Sequence, residues 1–177
     1  MKLIIIYGSE ATGKLTIAKK LAEKTEFRLF HNHVSIDVAK VLFTFGMEGF
    51  SELVWDVRIS VFEHAAKWNI PGLIFTWAYS HPDFLPYLER IQTAIDTYGG
   101  EIYYVYIHCS YEELKRRVIE ADRADVGKIN SVAELKRQRE LKNHQPIPDT
   151  DSLMIDNTSL SPDAVIEKII NHYALLP

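Results

Sequence analysis

Five short apolar runs, separated by longer amphipathic stretches, form the main pattern of the sequence. The runs are rich in β-branched and aromatic residues, which predicts buried strands. They cover Lys2–Tyr7, Phe27–Phe30, Leu73–Trp77, Glu101–His108 and Leu153–Asp156. The stretches between them repeat apolar residues at helical spacing, which is typical of helices that bury one face. Alternating strands and helices predict an α/β fold, with a five-stranded parallel sheet and helices on both faces.

The same pattern predicts the helices and some of their ends. One helix follows Thr16, and the others are expected at Val34–Phe45, Phe50–Trp68, Asp83–Tyr98, Tyr111–Ala121, Val132–Asn143 and from Pro162 onward. Ser35 and Ser110 are the expected N-caps of the second and fifth helices, because a serine hydroxyl accepts from an otherwise unpaired helix N–H. One face of the third helix is expected to carry residues four apart, Leu53, Val57, Val61 and Ala65.

The segment between the first strand and the first helix has the pattern of a phosphate-binding P-loop, G-x-x-x-x-G-K. Its glycines let the backbone approach a ligand closely, and the helix N-terminus adds a partial positive charge. We therefore expect the whole segment to bind the phosphates of a nucleotide. Its residues are Gly8, Ser9, Glu10, Ala11, Thr12, Gly13, Lys14, Leu15 and Thr16.

The position after the lysine departs from the usual motif. A serine or threonine hydroxyl normally stands there and meets Mg²⁺, but this chain has Leu15, and the hydroxyl follows at Thr16. We expect Lys14 to bind the β- and γ-phosphates and Thr16 to contact the metal or its water. The alternative is a chance match in a glycine-containing loop. Strand, loop, lysine and helix all agree with the P-loop interpretation.

Ligands of open parallel sheets bind at the carboxyl ends of the strands. Besides the P-loop, the segments expected at that edge are 31–33, 76–81, 109–111 and 156–158. This edge is the predicted active site.

Composition and charge narrow the class of protein. With 177 residues and 47% hydrophobic content, the chain is predicted to form one domain, residues 1–177. A net charge of −4 argues against a general binder of nucleic acids or membranes. The single cysteine, Cys109, cannot form an internal disulfide, which fits a reducing cytoplasm. We expect a cytoplasmic protein without a signal peptide, either a monomer or a homodimer.

On these motifs the sequence resembles the P-loop kinases of small molecules, the adenylate, shikimate and chloramphenicol kinase group, over essentially the whole chain. More narrowly, it is similar to small bacterial proteins described as shikimate-kinase-like or AAA ATPases. They share Gly-x-x-x-x-Gly-Lys-Leu-Thr, Phe-His-Asn-His, Gly-Leu-Ile-Phe-Thr and Ile-Asp-Asn-Thr. The resemblance implies a three-layer P-loop NTPase fold and the use of ATP with Mg²⁺. It implies transfer of the γ-phosphoryl group to a small metabolite that carries a hydroxyl or a phosphate.

The resemblance also implies a mobile lid, rich in arginine, at about residues 122–132. Arg117 matches the Leu-x-x-Arg of the helix that leads into the lid, and Arg123 follows six residues later. Both are expected to clamp the transferred group, because a guanidinium pairs with phosphate through two hydrogen bonds. A solvated basic helix face is the alternative. Asn157 and Thr158 resemble the loop that flanks adenine, although capping would equally explain Asn157.

In this group the second substrate lies between the P-loop and the helices after the second strand. The polar residues expected there are His31, Asn32, His33, Asp37, Arg58 and His81. Asp37 is the first candidate for accepting the proton of an acceptor hydroxyl, and His33 is the second. By resemblance Arg58 would hold an anionic acceptor. Support of a helix start by Asp37 and a surface ion pair of Arg58 are the alternatives.

Some features of the group are absent. Nucleotide monophosphate kinases usually end the third strand with Asp-Gly, and shikimate kinases have three glycines there, whereas this chain has Thr76-Trp77. These differences count against shikimate or a nucleoside monophosphate as the acceptor. A P-loop ATPase or nucleotide-binding switch without an acceptor remains the alternative function. Zinc would need a third or fourth ligand beside His31 and His33, so Mg²⁺ bound with ATP is the expected metal.

Overall fold

A five-stranded parallel sheet with the strand order β2-β3-β1-β4-β5 forms the centre of the protein. The computed structural model describes residues 1–119 and 129–176. The strands are β1 (Lys2–Tyr7), β2 (Arg28–His31), β3 (Gly72–Trp77), β4 (Glu101–His108) and β5 (Ser152–Asp156). All five predicted strands are confirmed, with ends that differ by at most one residue. Because β1 is the middle strand, the loop that follows it emerges at the centre of the sheet edge.

Seven helices lie within the described residues. They are α1 (Lys14–Thr25), α2 (Asn32–Lys40), α3 (Phe50–Lys67), α4 (Leu85–Asp96), α5 (Tyr111–Val118), α6 (Val132–Leu141) and α7 (Pro162–Tyr173). Serine hydroxyls cap α5, α6 and α7 by accepting the N–H three residues later, and these caps are Ser110, Ser131 and Ser161. The expected cap at Ser110 is therefore confirmed. None of the helices in these two described ranges is long and apolar enough to cross a membrane.

The two sides of β1 pack against different pairs of helices. Leu3, Ile5 and Tyr7 face a cluster with residues of α3 and α4. Ile4 and Ile6 face a second cluster with residues of α1 and α7. Both sides are fully buried, as expected for the middle strand of a parallel sheet. The arrangement confirms the predicted three layers, in which helices cover both faces of the sheet.

The expected N-cap at Ser35 is wrong. Helix α2 begins at Asn32, three residues earlier, and Ser35 lies inside it as a buried residue. The Asn32 N–H donates to the Thr76 hydroxyl at 3.2 Å, so the end of β3 satisfies a donor of the first turn. The Ser35 hydroxyl instead accepts from Arg58 Nε at 2.9 Å. The predicted helix also extended too far, since α2 ends at Lys40.

The buried face of α3 differs from the predicted one. Its buried residues include Trp55, Arg58 and Phe62, which are spaced by three and four positions. Of the predicted stripe, Ala65 is buried, whereas Leu53, Val57 and Val61 are only half-buried at the side of this face. The prediction used apolar residues alone, whereas the structure places an arginine in the middle of the buried face.

Gly8, the first residue after β1, can only be a glycine. Its φ of 142° lies in a region that L-residues rarely adopt, and a Cβ atom there would stand 2.1 Å from the Ile107 carbonyl oxygen. The backbone of β4 therefore lies against the start of the P-loop. This contact requires a residue without a side chain at position 8.

We predict that Gly8→Ala lowers the free energy of unfolding by about 2–5 kcal/mol, because backbone strain adds to a collision that only a shift of β4 relieves. Gly46→Ala is the control. Gly46 also has a positive φ, of 86°, but nothing lies within 4 Å of the place that a Cβ atom would take there. It should cost about 1–2 kcal/mol. Urea unfolding of the three proteins measures both values, and equal costs would contradict the proposed collision.

Candidate nucleotide and acceptor site

The P-loop connects β1 to α1 and folds around the first turn of that helix. Gly13, with a φ of 85°, is the N-cap of α1, and Lys14 is the first helical residue. The buried Thr12 hydroxyl donates to the Ser9 carbonyl oxygen at 2.9 Å, and the Lys14 ammonium donates to the same oxygen at 2.5 Å. The ammonium charge therefore lies beside the N–H groups that begin α1. Both contribute positive potential to the same place.

A cavity of about 380 Å³ opens beside Lys14, and we call it the Lys14 cavity. The P-loop, the start of α2, the end of β3 and one side of α6 form its walls. Its lining residues include Glu10, Lys14, Thr16, Asn32, His33, Thr76, Trp77, Glu134, Gln138 and Lys142. The structure thus brings the P-loop together with two of the predicted acceptor residues, Asn32 and His33.

A second cavity, of about 520 Å³, lies on the other side of the P-loop. We call it the Arg117 cavity, and its lining includes Ala11, Gly13, Thr16, Arg117, Asn157 and Thr158. The first three of these residues also line the Lys14 cavity. The two cavities therefore meet at the P-loop.

Arg117 joins α5 to the P-loop and to the segment after β5. Its Nη1 donates to the Thr12 carbonyl oxygen at 3.3 Å, and its Nη2 donates to the Asn157 carbonyl oxygen at 2.8 Å. Asn157 is only 3% exposed, and its Nδ2 donates to the same Thr12 oxygen at 2.9 Å. Two side chains therefore share one carbonyl oxygen of the P-loop and hold the loop in place. This position agrees with the predicted nucleotide contacts, whose binding role stays a prediction.

Glu113 supports Arg117 from one turn earlier in α5. Its carboxylate accepts from Arg117 Nε at 2.7 Å and from Arg116 Nε and Nη2 at 2.8 and 2.7 Å. The hydrogen bond from Arg116, with those of Arg117, lowers the pKa of Glu113 to about 2. The carboxylate is therefore ionised at neutral pH, and it fixes the direction of the Arg117 guanidinium.

A third cavity, of about 160 Å³, lies deeper, between α2, α3 and the end of β3. We call it the Arg58 cavity. Aromatic rings form much of its lining, which includes Phe50, Trp55, Arg58, Trp77 and Phe84. Four residues line both this cavity and the Lys14 cavity, namely Asn32, Trp77, Ala78 and Lys142. The three cavities thus follow one another along the sheet edge, with the P-loop between the first two.

Arg58 is a buried cation at the side of this third cavity. It is 4% exposed, donates to the hydroxyl of Ser35 and to Asn32 Oδ1, and lies 4.5 Å from the centre of the Trp55 ring. Burial lowers its pKa to about 10, and the neighbouring Tyr87 acts in the opposite direction. No carboxylate in the described parts of the chain forms an ion pair with it. A surface ion pair, the alternative function of this arginine, is therefore excluded among these residues.

Sequence reasoning missed a charged cluster that faces the P-loop from the other side. The Glu10 carboxylate lies 2.6 Å from Lys142 Nζ and 3.0 Å from His144 Nε2. Burial alone would raise the pKa of Glu10, but His144 and Lys142 outweigh it and hold that pKa well below its usual range. The sequence carries no signal for this cluster, because Glu10 and Lys142 are 132 positions apart.

Three of the six predicted acceptor residues line none of the three cavities. The Asp37 side chain is 64% exposed on α2 and pairs with Lys40 at 3.2 Å. His31 ends β2, with its ring centre 6.1 Å from that of His33. His81 follows β3 and donates its backbone N–H to the Asn143 carbonyl oxygen. Their roles in catalysis or acceptor binding stay predictions that this arrangement does not support.

Thr16 is the metal-binding candidate that the structure places best. Its exposed side chain lies in the first turn of α1 and lines both cavities that meet at the P-loop. A hydroxyl there suits Mg²⁺, which prefers oxygen ligands and usually keeps several waters. Within the described ranges, no group of three or more histidine, cysteine, aspartate or glutamate residues is arranged to hold a metal. Arg123 and most of the predicted lid, about residues 122–132, lie outside the described residues.

Thr158 lines the Arg117 cavity and also forms hydrogen bonds with two neighbouring segments of the chain. Its hydroxyl donates to Asp156 Oδ1 at 2.6 Å and accepts the Ser110 N–H at 2.9 Å. These bonds tie the segment after β5 to the start of α5. They position the neighbouring Asn157, which contacts the P-loop.

Comparison with solved structures identifies the fold. A sugar kinase from Janibacter aligns with 100% of this chain and 96% of its own, at 14% identity and a TM-score of 0.71. A gluconokinase from Sinorhizobium meliloti aligns with 98% of this chain and 91% of its own, at 10% identity and a TM-score of 0.65. A shikimate kinase from Bacteroides thetaiotaomicron covers 97% of this chain and 98% of its own, at 15% identity and a TM-score of 0.61.

No family model matches the sequence, and no curated protein matches it significantly. The structural likeness nevertheless extends over nearly the whole of each chain. The protein therefore has the fold of the P-loop small-molecule kinases, as the sequence motifs predicted.

We predict that Glu113→Gln removes a stabilising contribution that depends on pH. The pKa of Glu113 is lowered from 4.5 to about 2 in the folded protein. The ionised carboxylate therefore stabilises the fold above pH 4.5, and this contribution is lost as the pH falls towards 2. The difference in free energy of unfolding between wild type and variant, measured in urea from pH 6 to pH 2, should narrow as the pH falls.

Glu112→Gln is the control for this measurement, because the Glu112 side chain is 80% exposed and pairs only with Lys115. An exposed pair contributes at most about 1 kcal/mol. A difference for Glu113→Gln that stays the same at every pH would contradict the assigned ionisation.

Proposed function

We propose that the protein is a kinase that uses ATP and Mg²⁺ to phosphorylate a small metabolite carrying a hydroxyl or a phosphate. The observation that carries this proposal is the continuity of three cavities along one sheet edge. The Arg117 and Lys14 cavities share P-loop residues, and the Lys14 and Arg58 cavities share Asn32, Trp77, Ala78 and Lys142. A nucleoside, its phosphates and an acceptor can occupy them in that order.

Each part of the chain has a role in this arrangement. The P-loop backbone and Lys14 bind the β- and γ-phosphates, and Thr16 holds Mg²⁺ through its hydroxyl or a bound water. When bound, the metal ion neutralises charge on the phosphates. Arg117 and Asn157 position the nucleotide beside the P-loop. Such an enzyme accelerates transfer chiefly by positioning and charge stabilisation. The position of Asp37 outside the three cavities is therefore compatible with the reaction.

The acceptor in this proposal is anionic and has an apolar side. Arg58 supplies a buried cation to the third cavity, and the described residues offer it no carboxylate. The guanidinium lies 4.5 Å from the centre of the Trp55 ring and 5.5 Å from that of Phe75. A buried charge is stabilised when a ligand of opposite charge binds beside it. A compound with an acidic group and a ring of modest size fits this lining.

We predict that Mg·ATP releases ADP only when a suitable acceptor is present, and that Lys14→Ala lowers this rate by at least about 100-fold. The acceptor pools would contain nucleosides, nucleoside monophosphates, shikimate-like acids, sugars, and aminoglycoside or phenicol alcohols. The control is Lys19→Ala, which removes an exposed lysine from the same helix. Its rate should match that of the wild type.

The pattern over the pools distinguishes the functions. Release with one pool alone, lost in Lys14→Ala, supports a kinase and narrows its acceptor. Equal release in every pool and without acceptor would support an ATPase instead. No release in any pool that depends on Lys14 would contradict the kinase proposal for all the compounds tested.

We further predict that Arg58→Met raises the KM for the selected acceptor about 10- to 100-fold, because it removes a charged hydrogen bond to the acidic group. The KM for ATP should change less than about twofold, since Arg58 lies away from the P-loop. Arg58→Lys keeps the charge and should restore part of the affinity. Steady-state kinetics with each substrate varied in turn separates the two constants.

The matched control is Arg90→Met, which removes an exposed arginine that pairs with Asp56 on the same side of the sheet. It should leave both constants unchanged. An acceptor whose uncharged amide or ester is phosphorylated with the same KM as the acid would contradict a role of Arg58 in anion binding.

A further inference from the structure

Glu10 places an acid in the loop that is proposed to bind phosphates. Its side chain is 19% exposed and lines the Lys14 cavity. A carboxylate near a phosphate repels it unless another group offsets the charge. Lys142, at 2.6 Å, supplies the offsetting charge, and His144 Nε2 lies 3.0 Å from the other carboxylate oxygen. The P-loop therefore carries a permanent charged contact with the segment that follows α6.

This segment, residues 142–144, is fixed to the ends of two strands. His144 Nδ1 contacts the Tyr79 carbonyl oxygen at 2.7 Å, and the Tyr106 hydroxyl donates to the His144 carbonyl oxygen at 2.7 Å. The His81 N–H donates to the Asn143 carbonyl oxygen at 2.8 Å. Lys142 thus projects from a backbone that is held at both sides. Glu10 then sets the direction of its ammonium group.

The ammonium of Lys142 stands where two cavities meet. Four residues line both the Lys14 cavity and the Arg58 cavity, and Lys142 is the charged one among them. An ammonium has three N–H donors. Glu10 Oε1 accepts one of them, and within the described residues no other acceptor contacts this nitrogen. Donors therefore remain for a ligand at the junction of the two cavities.

We propose that Lys142 binds the phosphoryl group in transfer between the Lys14 and Arg58 cavities, and that Glu10 is the positioning residue which aims it. The inference rests on the proposed function, because that function assigns the two cavities to donor phosphates and acceptor. Lys142 is then a second lysine, besides Lys14, that contacts the phosphoryl group, and it does so from the acceptor side. Positive charges on opposite sides of a phosphoryl group in transfer stabilise the negative charge that is distributed over its oxygens.

The rival explanation is that Lys142 only neutralises Glu10. A double-mutant cycle separates the two, because Glu10→Gln removes the charge that would need neutralising. The affinities of a non-hydrolysable ATP analogue and of ADP, each with Mg²⁺, are measured by calorimetry without any acceptor. The proteins are wild type, Glu10→Gln, Lys142→Met and the double variant. Lys136→Met is the control, since Lys136 is an exposed lysine of α6 that pairs with Glu140 at 3.9 Å.

We expect Lys142→Met to weaken binding of the ATP analogue about tenfold in the wild type and about threefold in the Glu10→Gln background, where the ammonium keeps its charge but is no longer aimed. Glu10→Gln alone should weaken this binding about threefold for the same reason. Binding of ADP should change less than about twofold, because ADP lacks the group that Lys142 contacts. ADP binding also reports that each variant is folded. Lys136→Met should change neither affinity.

Two results would overturn the proposal. Binding of the ATP analogue that Glu10→Gln leaves unchanged or strengthens, with no further effect of Lys142→Met in that background, would make Lys142 a counter-ion alone. Equal losses of affinity for the ATP analogue and for ADP would show that Lys142 acts on a part of the nucleotide that both ligands share. A wild-type protein that binds neither nucleotide would instead refute the proposed function itself, so the two failures are distinguishable.

Discussion

The site depends on the close approach of two backbones at the centre of the sheet. β1 ends beside β4, and the chain turns at Gly8 against the Ile107 carbonyl oxygen, where no side chain fits. This turn sends the P-loop across the sheet edge and starts α1 at Lys14. The strands on either side, β3 and β4, then supply the neighbouring segments that surround the loop. The course of the P-loop therefore depends on the sheet beside it as well as on the glycine at position 8.

The charged side chains around this loop differ in what balances their charge. Arg117 is neutralised by Glu113 and also hydrogen-bonds to the loop backbone. Glu10 is the loop's own acid, and it pairs with Lys142 and contacts His144, both from a distant part of the chain. Arg58 is buried among rings without an acid in the described residues. The first two groups are balanced within the protein, whereas no carboxylate of the described residues pairs with the third, which is why we propose that an anionic acceptor binds in the Arg58 cavity.

The sequence predicted the strands, the P-loop and the sheet edge well, because each depends on local pattern. It failed where a polar residue is buried by its neighbours. Ser35 was expected to cap a helix, but its hydroxyl accepts from Arg58 of α3 instead. The buried face of α3 was misplaced because an arginine lies at its centre. The contact of Glu10 with Lys142 joins residues 132 positions apart, and no periodicity in a single sequence indicates such a pair.

The anchoring of residues 142–144 also fixes one end of α6. The helix has 10 residues, so it is about 15 Å long. Leu141, its last residue, adjoins the anchored segment, and Leu135, in its first half, is fully buried in a cluster with Ala11 of the P-loop and Leu114 of α5. The wall that α6 gives to the Lys14 cavity is therefore braced at two separate points, so the polar side chains on this wall keep a constant distance from the P-loop.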